Sequence, residues 1–206
     1  DYFTGWSELD INYLTEYFSF ANNLDNCKYF YILNESIQNN TIPSMESGMH
    51  SILKKYVVHT HPNELIPILC HKDCELILKD LYDDIDYCFV PLLMPGLALY
   101  EYIAKQDKVY DVYFLQNHGL VVTADKEEGI YLHDVICERV HKSKLEKSKS
   151  NTKGYITPDE YIFRERNDEW YTKMKLYYTS IKEQYNCNMI DENFLCYREL
   201  NKEFKI

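Results

Sequence analysis

Tyr56-Val57-Val58-His59-Thr60-His61-Pro62 reads as a short β-strand that ends on a pair of histidines. Tyr, Val and Thr suit a pleated strand, and Pro62 with Asn63 stops it. Alternation along the strand puts His59 and His61 on one face and Thr60 on the other. A second such region lies further on, where VYFLQ (112–116) and LVVTA (120–124) read as two short strands joined across Asn117-His118-Gly119. Helical patterns fall between and around these strands, so the expected class is α/β.

Apolar positions at Leu9, Tyr13, Leu14, Tyr17, Phe18 and Ala21 have a helical period over 8–24. Residues 28–33 (KYFYIL) are aromatic and aliphatic enough to predict a strand, followed by the polar loop 34–40. Pro43-Ser44 opens a short helix running to about residue 54. A helix is expected near 64–70, a strand or loop over 89–95 and a helix over 96–106, while 72–88 matches no single pattern. The longest helical pattern runs from Lys126 to about Lys147, with Ile130, Leu132, Val135, Ile136 and Val140 on its apolar side. The basic run 141–153 ends that helix and loosens into an exposed loop, and it reads as a solvated face or tail rather than a binding patch. Residues 155–164 predict a turn and strand, and 166–185, with Trp170, Met174, Tyr177, Tyr178 and Ile181, a final helix.

The chain has 206 residues, 46% of them hydrophobic and 27% charged, which suits one globular domain over 1–206 and excludes global disorder. No apolar run approaches the roughly 20 residues of a membrane span. Lys and Arg number 22 against 33 Asp and Glu, a net charge of −11 that disfavours nucleic acid and anionic membrane surfaces as partners. Seven cysteines, an odd number in a chain of this length, fit a reducing compartment. The chain opens on Asp1 without the basic and apolar regions of a secretory signal, so the cytoplasm is the expected location.

Two imidazoles on one strand face can ligate one metal ion, and His118, at another strand end, is a natural third donor. Three histidines with an open position describe a catalytic zinc site, where the metal polarises a substrate oxygen. Three unrelated half-buried histidines are the alternative at this point. In Pro43-Ser44-Met45-Glu46, Ser44 suits an N-cap and Glu46 the first helical turn, where the dipole favours a carboxylate. Capping alone accounts for that pattern too. His50 lies one turn beyond Glu46, able to orient it or to serve as an ordinary partnered histidine. Cys70-His71-Lys72-Asp73-Cys74 contains metal-type ligands but has no second matching pair. His133 and His141 read as surface or boundary residues. No GxGxxG, Walker A or GxSxG occurs, so a dinucleotide fold, a P-loop and a serine-hydrolase elbow lack support.

Taken together, PSMESGMH (43–50), YVVHTHP (56–62) and QNHGLVV (116–122) resemble the class II aldolase/adducin family. That family includes fuculose- and rhamnulose-phosphate aldolases, ribulose-phosphate 4-epimerase and methylthioribulose-phosphate dehydratase. Its three blocks, P-S-x-E, H-x-H-(P) and H-G-L, occur here in order, and the resemblance is strongest over 28–147. The short interval between the Glu helix and the HTH strand looks like the aldolase half of aldolase–dehydrogenase fusions, and GYITPDEYIF (154–163) is similar to a stretch of those fusions. Residues 148–206 are then a loop with a C-terminal strand and helix.

The resemblance implies a single-domain, three-layer fold with a central, mainly antiparallel sheet flanked by helices. It makes His59, His61 and His118 the ligands of Zn²⁺ or another divalent ion. Glu46 becomes the catalytic acid/base, able also to approach the metal, and Ser44 falls where the family has a serine near the substrate phosphate. Met45 stands where a second serine is often found, and the family's upstream Gly-Asn and Thr-Gly phosphate loops have no counterpart before residue 43. The implied activity is that of a zinc-dependent aldolase, cleaving or forming a C–C bond in a ketose phosphate or related sugar through an enediolate. Epimerase, dehydratase or decarboxylase chemistry on the same zinc site, and a non-catalytic adducin-like scaffold, are the alternatives. A homotetramer with active sites at subunit interfaces is implied as well.

Overall fold

A computed structural model describes residues 6–20, 24–39, 41–140, 154–162 and 168–190. In chain order the helices are α1 (Ile11–Phe20), α2 (Asn26–Glu35), α3 (Ser47–Ser51), α4 (Ile66–Leu69), α5 (Cys74–Leu81), α6 (Leu97–Ala104), α7 (Leu132–Val140), α8 (Pro158–Ile162) and α9 (Glu169–Gln184). The strands are β1 (Tyr56–Thr60), β2 (Tyr87–Val90), β3 (Val112–Leu115) and β4 (Gly119–Ala124). The chain divides into two compact units, 1–54 with 93–109, and 55–92 with 110–205. The basic run 141–153, His141 and Cys196 lie outside the described residues.

The first unit is helical. Residues 28–33 form part of α2, not the expected strand. Asp25 caps that helix from an extended backbone, its Oδ1 accepting the Lys28 N–H at 2.8 Å. Tyr29, Ile32 and Leu33 then share one helical face and are buried with Leu14 and Phe18 of α1 and Tyr100 of α6. Burial on that face outweighs the strand preference of the aromatic side chains. Tyr29 sits where its hydroxyl donates to Met45 O at 2.6 Å. Gly48 leaves the room for it, since a Cβ there would lie 2.5 Å from that hydroxyl.

The second unit is built on a four-stranded sheet in the order β1-β4-β3-β2. β4 pairs antiparallel with both β1 and β3, while β2 joins β3 in parallel, so the sheet is mainly antiparallel as expected. The register puts Val112 opposite Val122 and Phe114 opposite Leu120 on one face. Leu65, Ile68 and Leu69 of the α4 region, Cys74 and Leu78 of α5, and Ile136 and Val140 of α7 cover that face as one core. His59 pairs with Val121, which pairs with Tyr113, so His59 faces the other side of the sheet.

Residues 72–88, without a clear pattern in the sequence, hold α5 and the start of β2. The expected helix from Lys126 begins instead as a 3-10 segment, Glu127–Tyr131, before α7. Within the stretch 155–164, where a turn and strand are expected, residues 158–162 form helix α8 rather than a strand, and 163–164 lie outside the described residues. Thr157 Oγ1 accepts the Glu160 N–H at 3.1 Å and Glu160 Oε2 takes the Ile156 N–H at 2.9 Å, a reciprocal cap with Pro158 opening the helix. No helix among the described residues is long and apolar enough to cross a membrane.

Candidate metal centre

Two adjacent strand ends carry the site. β1 delivers His59 and, one residue past its end, His61. The turn from β3 to β4 delivers His118. Their ring centroids lie 5.0 Å (His59–His61), 5.0 Å (His59–His118) and 4.8 Å (His61–His118) apart. One ligand atom from each ring falls within 4.8 Å of the others, and this is the cluster of metal-type ligands found among the described residues. The three histidines, from two separate stretches of the sequence, are thus neighbours in the fold.

The protons on two rings follow from their neighbours. His59 Nδ1 lies 3.2 Å from Leu120 O, and a carbonyl oxygen only accepts, so Nδ1 carries the hydrogen. His61 Nδ1 lies 2.7 Å from Asp159 Oδ2, with the same consequence. With Nδ1 engaged in this way each ring turns Nε2 inward, and these two Nε2 atoms face each other at 3.2 Å. Two imidazole nitrogens at that distance either share a hydrogen or flank a metal ion. Tetrahedral nitrogen ligands about 2.0–2.1 Å from zinc are spaced by about 3.3 Å, so the pair has the separation of two ligands of one ion.

The turn that holds His118 is tightly specified. Asn117 adopts φ 58°, a left-handed conformation that asparagine tolerates better than most residues. Its buried amide donates to Ile156 O and Asn188 O, each at 2.8 Å, and its Oδ1 accepts from Asn188 Nδ2 at 3.1 Å. His118 N–H closes the turn on Leu115 O at 3.1 Å, and His118 is only 6% exposed. Gly119 follows, and a Cβ there would lie 2.4 Å from Thr60 O and 2.6 Å from His61 Cδ2. Only glycine lets the two strand ends approach closely enough for the three rings to converge.

Ser44 and Glu46 belong to the first unit. Ser44 is not the N-cap of α3; its Oγ accepts the Glu46 N–H at 3.2 Å in the turn before the helix. Glu46 takes the N-cap position with φ −92° and ψ 0°, and its side chain makes no capping hydrogen bond. Capping thus does not account for the carboxylate, whose Oε1 is shut off from solvent. His50 N–H bonds back to Glu46 O at 3.2 Å.

The Cys70–Cys74 stretch is packing, not a second metal site. Both thiols are buried, and burial pushes Cys70 well above its usual pKa and Cys74 up to about 12, which disfavours the thiolates a metal needs. His71 Nδ1 instead accepts the Asp73 N–H at 3.0 Å. His133 is half-buried on α7, its Nε2 2.7 Å from Thr60 Oγ1. Asp159 and Asn117 are the site residues that motif reading does not single out.

Comparison with known proteins gives three likenesses. The family model for the class II aldolase and adducin N-terminal domain matches residues 22–144. A Bacillus subtilis (strain 168) protein named uncharacterized oxidoreductase YuxG is 32% identical over 93 residues, which are 43% of this chain and 13% of that protein. The solved N-terminal class II aldolase domain of a conserved protein from Thermoplasma acidophilum superposes with a TM-score of 0.57 at 21% identity, covering 67% of this chain and 66% of that one. That last likeness is one of fold.

Proposed function

The chain belongs to the class II aldolase and adducin family, and on that premise we propose that it is a metal-dependent lyase acting on a ketose phosphate or a related polyhydroxy carbonyl compound. The observation that carries this reading is the convergence of three imidazoles, with the Nε2 atoms of His59 and His61 3.2 Å apart and His118 closing the triangle. These donors suit zinc, and three of them leave a coordination position open for substrate. Bound there, a divalent ion supplies the positive charge that stabilises negative charge developing on a substrate carbonyl oxygen.

The chain's own residues do the rest. His59, His61 and His118 would hold the ion through their ring nitrogens. Glu46 is the proposed proton carrier, taking and returning the proton next to the carbonyl; its motif and the lack of a capping role support it. Ser44 is the proposed contact to the polar end of the substrate, on the motif alone. Assembly into a homotetramer and a cytoplasmic location, the latter from the odd number of cysteines, belong to the same proposal. An adducin-like scaffold has no use for three converging imidazoles, which disfavours that alternative. The name of the Bacillus subtilis relative adds no redox activity, because the match spans 13% of that protein's length.

Elemental analysis and a retro-aldol screen over ketose phosphates test the reading. About one divalent ion per chain and aldehyde release from at least one member of the panel are expected. A chain that binds no divalent metal overturns it. One that binds metal yet catalyses only epimerisation, dehydration or decarboxylation keeps the site and changes the reaction.

A further inference from the structure

The family match ends at residue 144, yet residues beyond it reach the histidine cluster. Asp159, on α8, sets its Oδ2 2.7 Å from His61 Nδ1. The segment carrying it is fastened on several sides. Glu160, 5% exposed, joins the Ile156 N–H at 2.9 Å to Lys182 Nζ of α9 at 2.6 Å. Lys182 also donates to Gly154 O at 3.1 Å, and Tyr171 OH to Glu160 O at 3.3 Å. Ile156 O accepts from both Asn117 Nδ2 and Cys70 Sγ, at 2.8 and 3.2 Å. The same backbone stretch that presents Asp159 to His61 thus grips the turn that presents His118.

We propose that Asp159 is a positioning residue of the metal centre, and that α8 with α9 forms a clamp, outside the family domain, that sets metal affinity. The inference rests on the reading of the three histidines as metal ligands. Asp159 accepts the Nδ1 hydrogen of His61, which fixes the ring's rotation and directs Nε2 at His59. Without that acceptor the ring is able to turn or to move its hydrogen to Nε2, and that hydrogen must leave before a metal binds. Partners of this kind are worth about 10- to 100-fold in metal affinity.

The test compares the parent chain with Asp159→Ala and Asp159→Asn by Zn²⁺ titration against a chromophoric chelator. Thermal unfolding and ¹⁵N spectra of the histidine rings are recorded on the metal-free proteins. Asp159→Ala is expected to bind Zn²⁺ about 10- to 100-fold more weakly, and to move the His61 hydrogen toward Nε2. Its metal-free unfolding should match the parent, because the pair is over a quarter exposed and such pairs add little stability. Asp159→Asn keeps an accepting oxygen and should recover most of the affinity. Unchanged affinity in Asp159→Ala overturns the proposal. A metal-free destabilisation that accounts for the loss also overturns it, as do equal losses in both variants, which make charge rather than orientation the cause. A parent chain that binds no Zn²⁺ removes the metal centre itself, a different failure.

Discussion

Asn117 and Asn188 exchange hydrogen bonds across 71 residues of chain, Asn188 Nδ2 donating to Asn117 Oδ1 at 3.1 Å while Asn117 Nδ2 donates to Asn188 O at 2.8 Å. This exchange anchors the β3–β4 turn, and so His118, to the C-terminal segment.

Asn117→Ala is therefore expected to be among the more damaging single changes in the second unit. Each buried polar group left without its partner costs about 1–3 kcal/mol. A Cβ residue with less tolerance of positive φ adds about 1 kcal/mol. Asn117→Gly loses the same bonds but relaxes the backbone, so urea denaturation should rank parent above Gly above Ala. Equal stability of parent and Ala variant refutes the anchoring role.

Gly119→Ala tests the approach of the two strand ends. The added methyl meets Thr60 O, a backbone atom that cannot swing aside, and His61 Cδ2. Strand β1 must shift away from β4 at the end where His59 and His61 are carried. Zn²⁺ affinity is expected to fall by at least 10-fold, a loss of about 1.4 kcal/mol, while α1, α2 and α6 of the first unit keep their helical signal. Undiminished binding means that the sheet end yields more easily than its packing implies.

The parts of this fold that local pattern controls were legible in the sequence, and the parts that depend on distant partners were not. Strand alternation alone puts His59 and His61 on one face, and the Asn-His-Gly turn marks the end of β3. Tyr29, Phe30, Tyr31 and Ile32 carry strand propensity, yet the Asp25 cap and the burial of one helical face make them α2. Thr157-Pro158-Asp159-Glu160 has a helix-start pattern, and its aromatic and aliphatic neighbours mask it. Asp159 meets His61 across 98 residues, a pairing that no local periodicity encodes.

The acid limb of stability should show one exposed ion pair. Arg139 donates from both terminal nitrogens to the Asp84 carboxylate, and those bonds hold the Asp84 carboxyl below its ordinary 3.8. A carboxyl lowered by folding contributes stability that is complete above its unfolded pKa and is lost as pH falls through the lower folded value. Asp84→Asn should flatten the stability profile below pH 3.8, while Arg139 keeps its bond to Leu81 O and its place over the Tyr82 ring. Profiles with the same acid slope in parent and variant show that the pair adds nothing in solution.

Glu46→Gln separates catalysis from architecture. A carboxylate near a helix start contributes about 0.3–1 kcal/mol through the dipole, and here no capping hydrogen bond adds to it. Gln fills nearly the same volume, so the variant should fold, keep its metal and unfold within about 1 kcal/mol of the parent. A general base is worth roughly 10²- to 10⁴-fold in rate, and an amide cannot take the proton. Turnover on the substrate found by the screen should fall by that factor. Solvent exchange of the substrate C–H beside the carbonyl should fall with it, because exchange needs the base but not the whole aldol cycle. Loss of turnover with exchange intact moves the role of Glu46 to a later step. Exchange and turnover both near the parent level return Glu46 to a residue of the α3 turn and direct the search for the base to His50 or to a tyrosine.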